Sequence, residues 1–303
     1  MHSGSIVALV TPMGADGEVD FGSLEHLIDW HVGQGTAALV IAGTTGESAT
    51  LTKDEHLEVI RHSAEYAGDR LPVIAGTGSN STAQTIDLSV AAGAAPISGY
   101  LVVTPYYNKP TQEGLVRHFT AIADAVDKPV MLYNVPGRTA VDLQPESVAR
   151  LATHDMIFGI KEATGEVDRV AVLRELCGDD FALYSGDDPS AREFMLAGGV
   201  GVVSVTANVA PAKMAVMCEA AVRGDKQAAE TADKALAALH KDLFVEANPI
   251  PIKWALQRMG MIPEGIRLPL TPLSETYRAR IESALRQAGC PVSYTHLTLP
   301  TTW

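Results

Sequence analysis

Cysteine is scarce and scattered. The three present, Cys177, Cys218 and Cys290, lie far apart and form no C-x-x-C pair. Neither a disulfide framework nor a thiolate metal site follows, and the usage fits a reducing cytoplasm. Positive charge is also short: 23 Lys and Arg stand against 36 Asp and Glu, a formal net charge of −13. Nucleic acid and anionic membrane surfaces would be repelled, so neither is expected as a partner. Long apolar runs are missing, and no stretch approaches membrane-spanning length. Met1-His2-Ser3-Gly4 brings no basic region, and Ile6 to Val10 is too short for the apolar core of a signal peptide. The nine histidines include no H-x-H or H-x-x-x-H pair. Scattered surface histidine is the expectation, and metal-dependent chemistry is disfavoured.

What is present is a 303-residue chain, 47% hydrophobic and 19% charged, suited to a large core. Short apolar, β-rich runs alternate with stretches of helical period. The runs are Ile6–Pro12, Ala37–Gly43, Leu71–Gly78, Gly99–Pro105, Lys128–Pro136, Ile157–Ala163, Phe181–Asp188 and Gly201–Val205. Helical patterns between them include Ser23–Gly33, Lys53–Ala67, Thr82–Ala92 and Gln112–Val126. Eight β-then-α units predict parallel strands with right-handed crossovers, and eight strands close a (β/α)8 (TIM) barrel. A doubly wound open sheet is the competitor, but Thr11-Pro12-Met13 offers no glycine-rich first turn.

Beyond Ala210 only helical stretches follow, broken at Gly224, Asn248-Pro249 and Leu270-Thr271-Pro272. The expected organisation is a catalytic barrel over residues 1–224 and a C-terminal helical domain over 225–290. Residues 291–303, Thr- and Pro-rich without helical period, read as a foreign appendage; a natural disordered tail is the alternative.

In such barrels the reactive groups lie at the C-terminal strand ends and in the loops that follow. Lys161 is the sharpest candidate. Period two puts Ile157, Gly159, Lys161 and Ala163 on one face, and Phe158, Ile160 and Glu162 on the other. A barrel strand has no solvated face, so a lysine there loses hydration and its neutral, nucleophilic form gains. The bland alternative is a lysine snorkelling from the strand end or paired with Glu162. Tyr133, near the end of the adjacent strand, is placed to pass protons to a group on Lys161, or is an ordinary buried tyrosine. Arg138 suits a bidentate grip on a carboxylate, or is a solvated loop arginine. Gly43-Thr44-Thr45-Gly46-Glu47 offers N–H groups and two hydroxyls at a strand-to-helix turn, which suits an anion or simply caps a helix. Gly76-Thr77-Gly78-Ser79-Asn80-Ser81 is weak as a nucleotide loop, lacking a third glycine and a following Gly-Lys-Ser/Thr.

Together these stations resemble the dihydrodipicolinate synthase / N-acetylneuraminate lyase family. Its marks read Gly43-Thr44-Thr45-Gly46-Glu47, Tyr133-Asn134-Val135-Pro136-Gly137-Arg138-Thr139 and Gly159-Ile160-Lys161-Glu162-Ala163, and the likeness runs from Ser5 to about Ala288. The loop Thr104-Pro105-Tyr106-Tyr107-Asn108-Lys109-Pro110-Thr111-Gln112-Glu113-Gly114, the Thr44-Thr45 pair and Arg138 resemble the synthase branch. The resemblance implies a Schiff-base condensation of pyruvate with L-aspartate 4-semialdehyde in lysine biosynthesis, without a separate cofactor or metal. Lys161 would form the imine, and the Thr44-Thr45 turn would hold the pyruvate carboxylate. Tyr133, Thr44 and Tyr107 would relay protons, and Arg138 would hold the second substrate. Gly186 and Val203 would line the pocket by their backbone. The family implies a homotetramer, a dimer of dimers, in which a neighbouring subunit contributes Tyr107.

It also implies a feedback site for lysine drawn from Ser48, Ala49, Lys53, His56, Asn80, Gln84 and Tyr106. Lysine-sensitive members place a carboxylate where Gln84 stands. Neutral Gln84 and the added charge of Lys53 predict weak or absent inhibition. Ala94-Ala95-Pro96-Ile97-Ser98 is slightly expanded against the family pattern. The rival readings are another pyruvate-dependent 2-keto-3-deoxy acid lyase on the same scaffold, and a barrel that binds ligand without catalysis.

Overall fold

A computed structural model describes residues 2–292; the tail reading falls largely on residues 293–303, outside the described residues. The first half of the chain runs β1 (Gly4–Ala8), α1 (Phe21–Val32), β2 (Ala38–Ile41), α2 (Lys53–Ala67), β3 (Val73–Gly76) and α3 (Thr82–Ala92). It continues with β4 (Gly99–Val103), α4 (Gln112–Ala125), β5 (Val130–Asn134), and two short helices, α5 (Pro136–Thr139) and α6 (Pro145–Leu151). The second half follows with β6 (Ile157–Glu162), α7 (Arg169–Cys177), β7 (Ala182–Ser185), α8 (Ala191–Leu196), β8 (Gly201–Ser204) and α9 (Pro211–Val222). Four further helices are α10 (Lys226–Lys234), α11 (Ala237–Asp242), α12 (Ile250–Arg258) and α13 (Glu275–Gln287).

All eight strands pair in parallel and in sequence order, and β8 returns to β1 to close the barrel. The closure leaves no free sheet edge. Two hydrophobic bodies result. Ile6, Val40, Ile74, Leu101, Met131 and Val203 fill the interior, while a larger layer lies between strands and helices. The helices start where the sequence supplies caps. Asp20 caps α1 through the Ser23 N–H (3.0 Å), and Thr52 with Glu55 makes a capping box on α2. The α4 stripe Leu115, Phe119 and Ile122 recurs at helical spacing and is fully buried, each side chain contributing about 1.5–3 kcal/mol by leaving water. Ala95 and Ile97 are buried in the outer layer, and the Ser98 N–H donates to the Val73 carbonyl at 2.7 Å.

Two expectations are corrected. Strict alternation along β6 fails at its start. Val130 pairs with Ile157 but Met131 pairs with Gly159, so Phe158 is the extra residue of a bulge. Ile157 therefore belongs to the outer layer and Phe158 packs against the interior, while Gly159 and Lys161 keep the predicted face. Second, four histidines expected at the surface are buried: His31, His56, His118 and His240. Each ring has a hydrogen-bond partner, such as Thr36 Oγ1 for His31 (2.8 Å) and Thr206 Oγ1 for His240 (3.0 Å). Burial lowers His31 to about 3 and His118 to about 4, so both are held neutral.

The helices after α9 do not stand apart from the barrel. α10 packs against α9 and α8, and α11 and α12 pack against α13. Among the described residues no helix is long and apolar enough to cross a membrane.

Candidate active site

Lys161 and Tyr133 are the penultimate residues of β6 and β5 and face each other across the ladder. Their side chains point into the barrel mouth, where the Lys161 amine lies 4.1 Å from the centre of the Tyr133 ring. Lys161 is only 6% exposed, which removes the snorkelling alternative. Pairing with Glu162 is removed as well, because the neighbouring residues of both strands point outward. There the Asn134 amide donates to Glu162 Oε2 (3.1 Å) and Asp142 Oδ1 (2.7 Å), and the Thr164 N–H donates to Glu162 Oε1 (2.9 Å). Arg169 closes this network on Asp142, on Glu162 (3.4 Å) and on Glu166 (2.9 Å). Burial pushes the Glu162 carboxyl up, against the bonds from Asn134 and Thr164 and the charge of Arg169.

A cavity of about 190 Å³ opens above these residues. It brings together Thr44, Thr45, Tyr133, Arg138, Lys161 and Gly186 from the predicted set. Glycine at 186 has a steric cause: a β-carbon there would stand 2.7 Å from Ala163 Cβ and 2.9 Å from Lys161 Cε. Gly78 likewise lies against the Val103 backbone nitrogen, 2.5 Å from where its β-carbon would be. The glycines of the 76–81 loop thus serve close backbone packing. Val203 sits in the interior layer below, and Val205 forms the cavity wall on that side.

The turn after β2 is tightly wound. Glu47 adopts a left-handed backbone (φ 58°), the Glu47 N–H donates to the Thr44 carbonyl (3.1 Å), and the Ser48 N–H donates to the Gly43 carbonyl (3.2 Å). Thr44 is half-buried at the cavity, and Thr45 is buried with its hydroxyl accepting from the Asn248 amide at 3.0 Å. Arg138, on α5, is exposed at the mouth and donates to the Asn248 carbonyl at 3.3 Å.

Tyr107 does not join its own chain's cavity. It stands 89% exposed on a left-handed backbone (φ 76°) in the loop after β4. The residues named for a lysine site lie in the loops after β2, β3 and β4 and in the first turns of α2 and α3. Ser48 lines the cavity, Ala49 is exposed, and His56 is buried with Nε2 2.7 Å from the Gly76 carbonyl oxygen. Gln84 accepts from Ser79 Oγ (3.1 Å), Asn80 accepts through its carbonyl from the Asn108 amide (2.8 Å), and Tyr106 is exposed. Lys53 forms an ion pair with Asp87 of α3. Lys53 therefore adds no unpaired positive charge, which corrects one half of the argument against lysine inhibition; neutral Gln84 remains.

Three site residues escaped the sequence. Asn248 and Phe244 line the cavity, and buried Lys253 reaches Glu47. Asn248 meets Thr45 and Lys253 meets Glu47, 203 and 206 positions upstream, so no local spacing announces them. Among the described residues no group of three or more His, Cys, Asp or Glu could hold a metal ion.

Comparison with known proteins places this geometry. The family model described as the dihydrodipicolinate synthetase family matches residues 1–288. A 4-hydroxy-tetrahydrodipicolinate synthase of Alcanivorax borkumensis is 60% identical, over 95% of this chain and 98% of the relative. One of Methylococcus capsulatus is 58% identical, over 95% of this chain and 99% of the relative. A crystal structure of the chloride-inhibited dihydrodipicolinate synthase from Acinetobacter baumannii, complexed with pyruvate, superposes with a TM-score of 0.94 at 53% identity. That alignment covers 96% of this chain and all of the other. This chain belongs to the dihydrodipicolinate synthetase family.

Proposed function

We propose that the chain condenses pyruvate with L-aspartate 4-semialdehyde to 4-hydroxy-tetrahydrodipicolinate, as a lysine-dependent synthase of lysine and diaminopimelate biosynthesis. The carrying observation is the Lys161 amine, buried over the Tyr133 ring at a cavity shared with Thr44, Thr45 and Arg138. Lys161 attacks the pyruvate ketone and expels water to give an imine. The protonated imine acidifies the methyl group, and proton loss yields an enamine. Thr44 and Thr45 hold the pyruvate carboxylate, and Arg138 holds that of the aldehyde. The enamine carbon attacks the aldehyde, forming the new carbon–carbon bond. The amine of the aldehyde portion then displaces Lys161, closes the ring and frees the enzyme. Tyr133 and Thr44 relay protons, joined by Tyr107 from a neighbouring subunit.

The exposure of Tyr107 supports that last assignment, since on its own chain it meets no reacting group. We assign on the same reading a homotetramer built as a dimer of dimers, a cytoplasmic location, and no cofactor beyond the covalent pyruvate adduct. Residues 1–224 form the catalytic barrel of this scheme and residues 225–290 its helical domain. The test is intact mass after incubation with pyruvate and borohydride. Addition of one reduced pyruvate, absent in Lys161→Ala, is expected; a folded parent protein that gains no mass would overturn the reading.

A further inference from the structure

The turn that carries Thr44 and Thr45 is gripped by residues of the C-terminal region, and of these Lys253 and Arg267 lie outside the cavity. Glu47 and Lys253 form an ion pair in which the Glu47 side chain is fully covered and Lys253 nearly so. Burial lowers the Lys253 ammonium against the pull of Glu47. The second Glu47 oxygen accepts the Arg267 N–H at 3.2 Å. Arg267 also donates to the Thr50 carbonyl at 2.9 Å, and Asn248 donates to Thr45 at 3.0 Å. Four contacts from the C-terminal region thus fall on three residues of the turn, Thr45, Glu47 and Thr50. A buried pair of this kind is a poor source of stability, because desolvation offsets the attraction. It does fix geometry, since moving either partner strands a charge. The grip also holds Glu47 in its left-handed conformation, a backbone state that persists only where surroundings impose it.

We infer that Lys253 and Glu47 are positioning residues for pyruvate: through them the C-terminal helices hold the Thr44–Thr45 turn in the shape that receives the keto-acid carboxylate. The inference rests on the reading of that turn as the pyruvate site. Lys161, held by β6 and its own network, is independent of the grip, so the larger effect should fall on pyruvate binding and a smaller one on turnover, through Thr44, which rides on the same turn.

The experiment uses the full chain carrying Lys253→Met, Glu47→Gln, or both. Pyruvate KM, and the pyruvate concentration giving half-maximal borohydride trapping, should rise about tenfold in each. The kcat at saturating pyruvate should fall by less than the pyruvate KM rises, and the KM for the aldehyde should stay near the parent value. The double variant, which leaves no unpaired buried charge, should recover the parent melting temperature but keep the raised pyruvate KM. Recovery of both in the double variant would make the pair a stability pin only and overturn the inference. So would an unshifted KM in folded Glu47→Gln, the mildest change. Failure of the parent itself to trap pyruvate would instead overturn the functional reading.

Discussion

Two buried polar networks support the cavity, and they are built in opposite ways. Behind Lys161 and Tyr133, Asn134, Glu162, Asp142 and Arg169 lie within 36 positions of one another and stitch β5 to β6. Behind Thr44 and Thr45, Glu47 meets Lys253 and Arg267 from the far end of the chain. The first anchors groups on regular strands, where the ladder already fixes each backbone. The second anchors a turn, which has no ladder and borrows rigidity from another part of the fold. The nucleophile is thus held by local structure and the anion site by tertiary structure.

The largest effect should come from crowding the strand-held side. Gly186→Ala puts a methyl group against the Lys161 stem, and kcat should fall about a hundredfold while the protein stays folded. Near-parent turnover would mean that Lys161 has room to move, and the rigid half of the contrast would fail. Glu162→Gln removes the charge behind Lys161 without changing shape. Here kcat should drop about tenfold with pyruvate KM nearly constant, the reverse of the pattern expected for Lys253→Met. Steady-state kinetics on the two variants side by side would expose any mixing of the roles. The smallest effect is expected from L-lysine at the loops around Gln84. The nearby α3 carboxylate, Asp87, is already engaged by Lys53, so little is left to hold an effector's ammonium. Inhibition should be weak; half-inhibition at micromolar L-lysine would break this expectation.

The same division decides what could be read from residues alone. The barrel was legible because eight apolar runs alternate with helical periods, and local pattern is what strands and helices are made from. Lys161, Tyr133, Arg138 and the Thr44–Thr45 turn were legible because each follows a strand. Phe158 was not: alternation assumes one residue per step, and a bulge leaves no mark in the pattern. The burial of His56 and His118 was not legible, because it depends on partners brought by other elements. Lys253 carries no mark of its role in the sequence, since helical period cannot reveal a carboxylate 206 positions away.

The missing β-carbon at Gly186 has a thermodynamic consequence. A free lysine side chain loses about 1.5–2 kcal/mol of rotamer entropy when it is fixed in one conformation. Here the stem of Lys161 lies against the bare Gly186 backbone on one side and its amine over the Tyr133 ring on another. That entropy is surrendered when the barrel folds, so little of it remains to be lost when the amine meets a carbonyl. The reaction begins from an ordered nucleophile whose effective concentration is set by packing.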